Sequence, residues 1–413
     1  EFRRVLFRSD GAVTNEEGDT FTFRMVDAAG RPVKGDPTAT LTLTIPNRLL
    51  GGTYPETPGV LGPWQASNGD LYFPMEPAET FNVLMVVKSG DGGVTWREVD
   101  GANRPATDDL EGFATAFHGG RIFMLHQISE ATYLHAFNTS DVAEAPDQWA
   151  IRDELVSSHS EPPVQVAALV GRPDGSLVAF FGDSLGLRWR IRESDGVWGG
   201  EGVIPTDPPG SLASGVMAVG SPDGTVHFAY TLTLEGERGV RYRSMKPDGS
   251  LTPALPLASG VGMREEDMGA VAPLVHLSEI HMVVVPYRLG DGFLYERRIG
   301  RDGSASSPVR ISHRSVVQCA SDSDQVGADA VVYDGTVHML FVDEETRDLY
   351  HIRSHDSGEW TSATPVVEGI NAQWVRGRIL RAADGSPVYG FVYDAGSDGG
   401  SGMNRYGEVS LGR

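Results

Sequence analysis

The chain has 413 residues, among them 51 Gly and 25 Pro, with 40% hydrophobic residues, one Cys and a formal net charge of −22. That length suits two or three average domains, or one large repeat domain with a fragment, and the turn-forming composition with few helix-like apolar stripes favours an all-β chain. So acidic a balance excludes a phosphate-neutralising nucleic-acid groove and an anionic membrane surface, no apolar run of about 18 residues is present for membrane insertion, and the lone Cys319 reads as a buried thiol rather than a nucleophile.

Residues 1–9, EFRRVLFRS, form the only basic, apolar patch of the chain. They are the translation of a widely used sequencing-adapter oligonucleotide and are set aside as non-native, which leaves a net charge of −24 on the remainder. The native N-terminus is therefore expected to be missing, and a secretion signal would not be visible. Residues 18–45, GDTFTFRMVDAAGRPVKGDPTATLTLTI, alternate apolar and polar residues in two runs separated by turn residues, a hairpin pattern. The stretch resembles the last strands of cadherin-like or Ig-like repeats of large bacterial surface and secreted proteins. That resemblance implies that residues 10–46 are a truncated repeat from a longer extracellular chain; alternatively, these strands complete the domain that follows.

From about residue 50 the sequence repeats itself. NGDLYF at 68, GGRIFM at 119, PDGSLVAF at 173, PDGTVHFAY at 222, LSEIHMVV at 277, YDGTVHMLF at 333 and ADGSPVYGF at 383 each join a turn to an apolar strand. A second element follows in most units, in which Lys88, Asn138, Arg192, Arg243, Arg298 or Arg353 precedes a turn Asp (Asp91, Asp141, Asp195, Asp248, Asp302, Asp356). Trp96, Trp149, Trp198 and Trp360 close four of those turns. Period-2 strands, four per unit and recurring about every 50 residues, specify a β-propeller over residues 50–413 with four-stranded antiparallel blades. Seven blades are expected, six being the alternative. The last unit supplies about three strands, so residues 40–46 or 50–60 are expected to complete it.

The first copy of the second element reads SGDGGVTW, residues 89–96, and resembles the Asp-box of the BNR-repeat, sialidase-like propellers, carried by Ser89, Asp91, Gly93, Thr95 and Trp96. The resemblance implies a structural hairpin on the outer part of a blade. It does not extend to the sialidase reaction: that family's F/Y-R-I-P arginine motif is absent, and LTIPNRLL carries Arg48 in the wrong order.

Comparing units separates blade-building residues from candidates for chemistry. His227, His281 and His338 suggest a metal trio, yet the equivalent positions hold Tyr72, Phe123, Val178 and Val388, so they read as packing positions. Arg192 has counterparts in most units and is expected to pair with its turn Asp. Loops that depart from the repeat are the connections into each unit's first strand, which gather at a propeller's channel mouth. SSHSEPPVQ at 157, ASGVGMREEDMG at 258 and SHRSVVQCASDSDQVG at 312 carry His159, Glu161, Glu265, Glu266, Asp267 and His313 as candidate catalytic groups, with Arg264, Arg314 and Arg376 as candidate substrate contacts. Asp322 and Asp324 stand in the same loops.

Two carboxylates across the channel suit acid–base attack on a glycoside; a His or Tyr with an Arg that neutralises a uronate suits a lyase. No metal site is specified: DSDQVGAD (322–329) and DAGSDGG (394–400) have Ca²⁺-type oxygen ligands without EF-hand spacing. The expected protein is extracellular and bacterial, a monomeric propeller within a longer chain whose partner is a polysaccharide. It is either a hydrolase or lyase for an acidic polysaccharide or, alternatively, a non-catalytic carbohydrate-binding, adhesion or protein-interaction module.

Overall fold

The computed structural model describes residues 19–24, 38–43, 50–51, 59–77, 83–101, 103–107, 112–128, 131–158, 167–183, 186–206, 212–234, 237–258, 270–319, 325–354, 358–394 and 404–411. Two units are present, residues 1–48 and 49–413. In the first, Asp19–Arg24 and Thr38–Leu43 pair antiparallel, Asp19 opposite Leu43 and Arg24 opposite Thr38, as the alternating pattern predicts.

The second unit is an all-β, seven-bladed propeller of antiparallel blades. Blade one consists of Trp64–Gln65, Leu71–Met75, Met85–Ser89 and Arg97–Glu98; blade two of Phe113–His118, Arg121–Gln127, Ala131–Asn138 and Gln148–Ser158. Blade three is Ala168–Gly171, Leu177–Asp183, Gly186–Arg192 and Gly202–Val203, and blade four is Leu212–Gly220, Val226–Leu234, Glu237–Met245 and Leu255–Ala258. In blade five a broken inner strand, Ala270–Val271 and Val275–Leu277, pairs with Met282–Arg288, followed by Leu294–Ile299 and Val309–Arg310. Blade six is Ala328–Tyr333, Thr336–Val342, Leu349–Ser354 and Thr364–Val367.

Blade seven shows three strands among the described residues, Val375–Arg381, Pro387–Asp394 and Asn404–Ser410. On its outer edge the Leu50 N–H donates to the Asn404 carbonyl at 2.8 Å, and most of the 50–60 segment expected to complete the blade lies outside the described residues.

The second strand of each blade lies under its neighbours on both faces, so its sequence is a nearly continuous apolar run, buried throughout in Leu71–Met75. Apolar side chains from adjacent blades form the core between them, as where Phe180 of blade three meets Phe228 of blade four at 4.7 Å between ring centroids. The turn residues explain the hairpins. Gly175, Gly224 and Gly385 have φ of 87°, 82° and 81° and donate to the carbonyl three residues back, a type I turn closed by a left-handed glycine. Asp334–Gly335, with φ of 48° and 71°, makes the two-residue turn that Asp-Gly suggests.

Arg192, Lys88 and Arg243 of the second element bond to groups other than their turn Asp. Asp195, Asp248 and Asp302 each accept the backbone N–H two residues on, capping their own turns. Arg192 reaches instead to Glu154 of blade two at 2.7 Å, Lys88 to Asp147 at 3.1 Å, and Arg243 to the Pro205 carbonyl at 2.8 Å. These three cations link neighbouring units of the ring.

Candidate functional site

All first strands run the same way along the ring axis, so one end of the propeller collects their starts and the other their ends with the first hairpin turns. At the turn end, residues of blades two to seven surround an axial cavity of about 680 Å³. His118, Arg172, His276 and Arg378 line it with Ser221 and Ser278, and no Asp or Glu stands among its described lining residues.

Neighbouring strands fix the cations. Arg378 lies 5.0 Å over the Trp64 ring and donates to the Gly377 carbonyl at 3.1 Å. Behind it the buried Asp329 accepts from Tyr389 Oη at 2.7 Å and from the Gly377 N–H at 2.9 Å. Burial raises the Asp329 carboxyl and lowers the Arg378 guanidinium, each opposed by the other's charge. One carboxylate thus faces two guanidiniums, those of Arg376 and Arg378, and of the two Arg378 lines the cavity. Arg172 is buried, donating to the Lys246 and Pro247 carbonyls at 3.1 and 3.2 Å, while its Nε has no partner. A guanidinium fork in such a cavity suits a carboxylate or sulfate group.

Two grooves meet the axial cavity along shared walls. Between blades four and five a groove of about 880 Å³ shares Ser221, Pro222 and His276 with it. There His227 Nδ1 lies 2.6 Å from Tyr242 Oη, and the His227 ring stacks on His276 at 5.5 Å and 11°. Burial, with the adjacent His276, brings His227 down to about 4, and burial raises the Tyr242 phenol, so both are neutral at pH 7 and the phenol donates to the imidazole. Between blades seven and one a groove of about 900 Å³ shares Arg378 and Ile379 with the cavity and exposes Trp64 stacked on Phe117 at 5.8 Å.

Of the residues singled out from sequence, His159, Glu161, Arg264, Glu265, Glu266, Asp267, Asp322 and Asp324 lie outside the described residues. His313 and Arg314 are exposed at the strand-start end, Arg314 bonded to Asp343 at 3.2 Å and lying 4.4 Å over Tyr350. Arg376 is buried, its guanidinium donating to the carbonyls of Gly59, Ala328 and Val375, which ties blades six and seven to the chain entering blade one. Ser89 through Trp96 serve their own turn: Asp91 accepts from Ser89 Oγ, Thr95 Oγ1 and the N–H groups of Val94 and Thr95, and Trp96 Nε1 donates to the Gly93 carbonyl.

The histidine trio divides. His227 and His281 line the groove between blades four and five, where His281 occupies a turn at φ 50°, whereas His338 pairs with His351 at 3.1 Å in blade six. No cluster of three or more His, Cys, Asp or Glu able to hold a metal occurs among the described residues. Arg172 and Arg378 lie away from the strand-start loops; a usable signal was an arginine just past the first strand of blade three and one within that of blade seven, in LVGRP and VRGRILR.

No protein-family model matches the sequence, and no curated protein is similar to it. The fold is similar to those of a solved lectin and solved polysaccharide lyases. The BP39L lectin from Burkholderia pseudomallei is 13% identical with a TM-score of 0.58, over 85% of this chain and 97% of that one. The ulvan lyase of polysaccharide lyase family PL25 is 12% identical with a TM-score of 0.56, over 89% and 96%, and the polysaccharide lyase Uly1 is 10% identical with a TM-score of 0.52, over 87% and 91%.

Proposed function

We propose that this protein engages an acidic glycan through the axial cavity at the turn end of the ring, as an extracellular BNR-type propeller cut from a longer bacterial chain. The observation that carries this reading is the cavity lined by the guanidiniums of Arg172 and Arg378, with no carboxylate among its described lining residues, in a chain of net charge −22. Bulk electrostatics repel an anionic polymer from such a surface, so a locally positive concavity has to supply the attraction. The lectin and lyase neighbours support a carbohydrate as the partner. The test is isothermal titration of residues 10–413 with a uronate polysaccharide, its carboxyl-reduced form and a neutral glucan. Binding of the first alone supports the reading; equal binding of all three, or of none, overturns it.

A catalytic reading, hydrolase or lyase, is favoured by the exposed pair His313 and Arg314 at the strand-start end and by the likeness to lyase folds. It assigns acid–base roles to His159, Glu161, Glu265, Glu266, Asp267 and His313, with Arg264 on the substrate. Mass spectrometry after incubation with the same polysaccharides tests it: products with added water support a hydrolase, unsaturated products a lyase, and intact polymer the binding role.

A further inference from the structure

Resting on the acidic-glycan reading, we propose that the groove between blades four and five is a second subsite for the same chain, taking an uncharged sugar residue beside the acidic one held in the axial cavity. The two concavities share the wall of Ser221, Pro222 and His276, so one polymer can occupy both without leaving the surface. Their charge differs. The groove offers Lys246 and Arg301 against Asp223 and Asp302, a balanced set, while the cavity offers the guanidiniums of Arg172 and Arg378 and no carboxylate among its described lining residues.

The groove's carboxylates are also held in place: Asp223 accepts from Ser221 Oγ at 2.5 Å and Asp302 from Ser304 Oγ at 2.7 Å. A charged sugar entering it gains no net counter-charge and loses hydration, whereas hydroxyl groups need donors and acceptors of both kinds. The groove supplies these from neutral groups. With Tyr242 donating to His227 Nδ1, the neutral imidazole carries its proton on Nε2 as a donor, and Ser244 adds a hydroxyl that both donates and accepts. Tyr242, His227 and His276 lie as near-parallel rings, at 15° and 11°, and all three line the groove, adding aromatic surface for a sugar ring. The volume of about 880 Å³ admits a pyranose.

The experiment titrates residues 10–413, and the Tyr242→Phe/Ser244→Ala double variant, with methyl glucuronide, a homouronan tetrasaccharide and a tetrasaccharide alternating uronic acid and neutral sugar. The substitutions leave every charge in place. The alternating fragment is expected to bind the unmodified chain about tenfold tighter than methyl glucuronide, with the homouronan gaining less. In the double variant the alternating fragment should fall to the methyl glucuronide value, which itself should not change. An alternating fragment no tighter than the homouronan, or a variant that keeps the gain, overturns the second subsite and leaves the acidic-glycan reading standing. Absence of binding by all three ligands sinks the acidic-glycan reading and this inference together.

Discussion

Gln65 in the first strand of blade one and Arg381 in the first strand of blade seven exchange two hydrogen bonds: Gln65 Nε2 donates to the Arg381 carbonyl at 2.8 Å, and the Arg381 N–H donates to Gln65 Oε1 at 2.8 Å. One side-chain amide thus acts as a strand edge across the seam where the ring closes. Gln65→Leu removes both bonds and is expected to lower stability by about 1–2 kcal/mol, at roughly 1 kcal/mol for each neutral hydrogen bond. Gln65→Glu keeps the acceptor and loses the donor, so its thermal midpoint should lie lower than the original but need not match the Leu variant. Calorimetry on the three chains decides it; an unchanged midpoint for Gln65→Leu means that the seam is held elsewhere.

Glu154 joins blade two to blade three by accepting from Arg192 Nε and Nη2 at 2.7 and 3.1 Å and from Trp198 Nε1 at 2.6 Å. Charge-assisted bonds of this kind contribute about 1.5–3 kcal/mol each, less where solvent reaches them, and Glu154 is partly exposed. Glu154→Ala should cost about 2 kcal/mol in urea unfolding. If the loss vanishes in an Arg192→Ala background, the coupling is the pair's own. Full additivity of the two changes would show instead that the ion pair contributes nothing.

Much of this architecture was legible because each blade repeats one local decision: a turn with Gly at its left-handed position, then an apolar strand buried on both faces. That is short-range chemistry, and it set the blade number and the strand order. The site was not legible in the same way. Arg172 and Arg378 stand in sequence beside the blade-building arginines, and only ring closure brings the ends of first strands from six blades around one cavity. His276 escaped because the repeat alignment placed His281 in its unit's strand, whereas the turn shifts that strand to begin at Met282. Arg192 was misassigned to its turn Asp195 because its contact with Glu154 of the neighbouring blade leaves no periodic signal of its own.

Gly93 closes its turn at φ 86°, and a Cβ built there would stand 2.2 Å from the Tyr406 ring of blade seven. Tyr406 also packs on Trp96, ring centroids 5.7 Å apart. Gly93→Ala therefore meets both a left-handed backbone penalty of about 1 kcal/mol and a clash that the aromatic seam has to absorb. The expected result is a larger fall in thermal midpoint than Gly92→Ala, whose Cβ would have open space at a similar φ of 74°. Equal falls for the two variants would contradict the contact with Tyr406.

Acid should weaken the fold through two buried histidines. His126 Nδ1 and His135 Nε2 lie 3.3 Å apart inside blade two, and burial holds His126 at about 4 and, with the charge of His126, His135 at about 3, against 6.5 in the open chain. Between those values the unfolded state binds protons that the folded state refuses, so stability falls as the pH drops from 6.5 toward 4 and this contribution levels off below about 3. His126→Leu removes one of the two groups together with its contact to His135 Nε2, so the variant is compared by its pH dependence and not by its absolute stability. Urea unfolding at pH 7 and pH 5 should show a smaller loss of stability in the variant, and an identical loss would remove this pair from the acid response.

Binding of an acidic glycan should depend on salt in proportion to the cations that meet it. Arg378 is the cavity guanidinium that is half-buried and held by Trp64, so removing it takes away charge and shape together, whereas Arg381 near the edge of the groove between blades seven and one is an exposed control. Arg378→Ala should weaken binding of a uronate polysaccharide about tenfold or more, the scale of a lost charge-assisted hydrogen bond, and Arg381→Ala only slightly. Arg378→Lys keeps the charge without the planar fork and should recover part of the affinity but not all of it. The slope of affinity against salt should fall in Arg378→Ala and persist in Arg378→Lys, because screening acts on charge and not on geometry. If both variants bind as the original does, the anionic group does not enter the axial cavity, and the positive end of the channel serves only to balance Asp329.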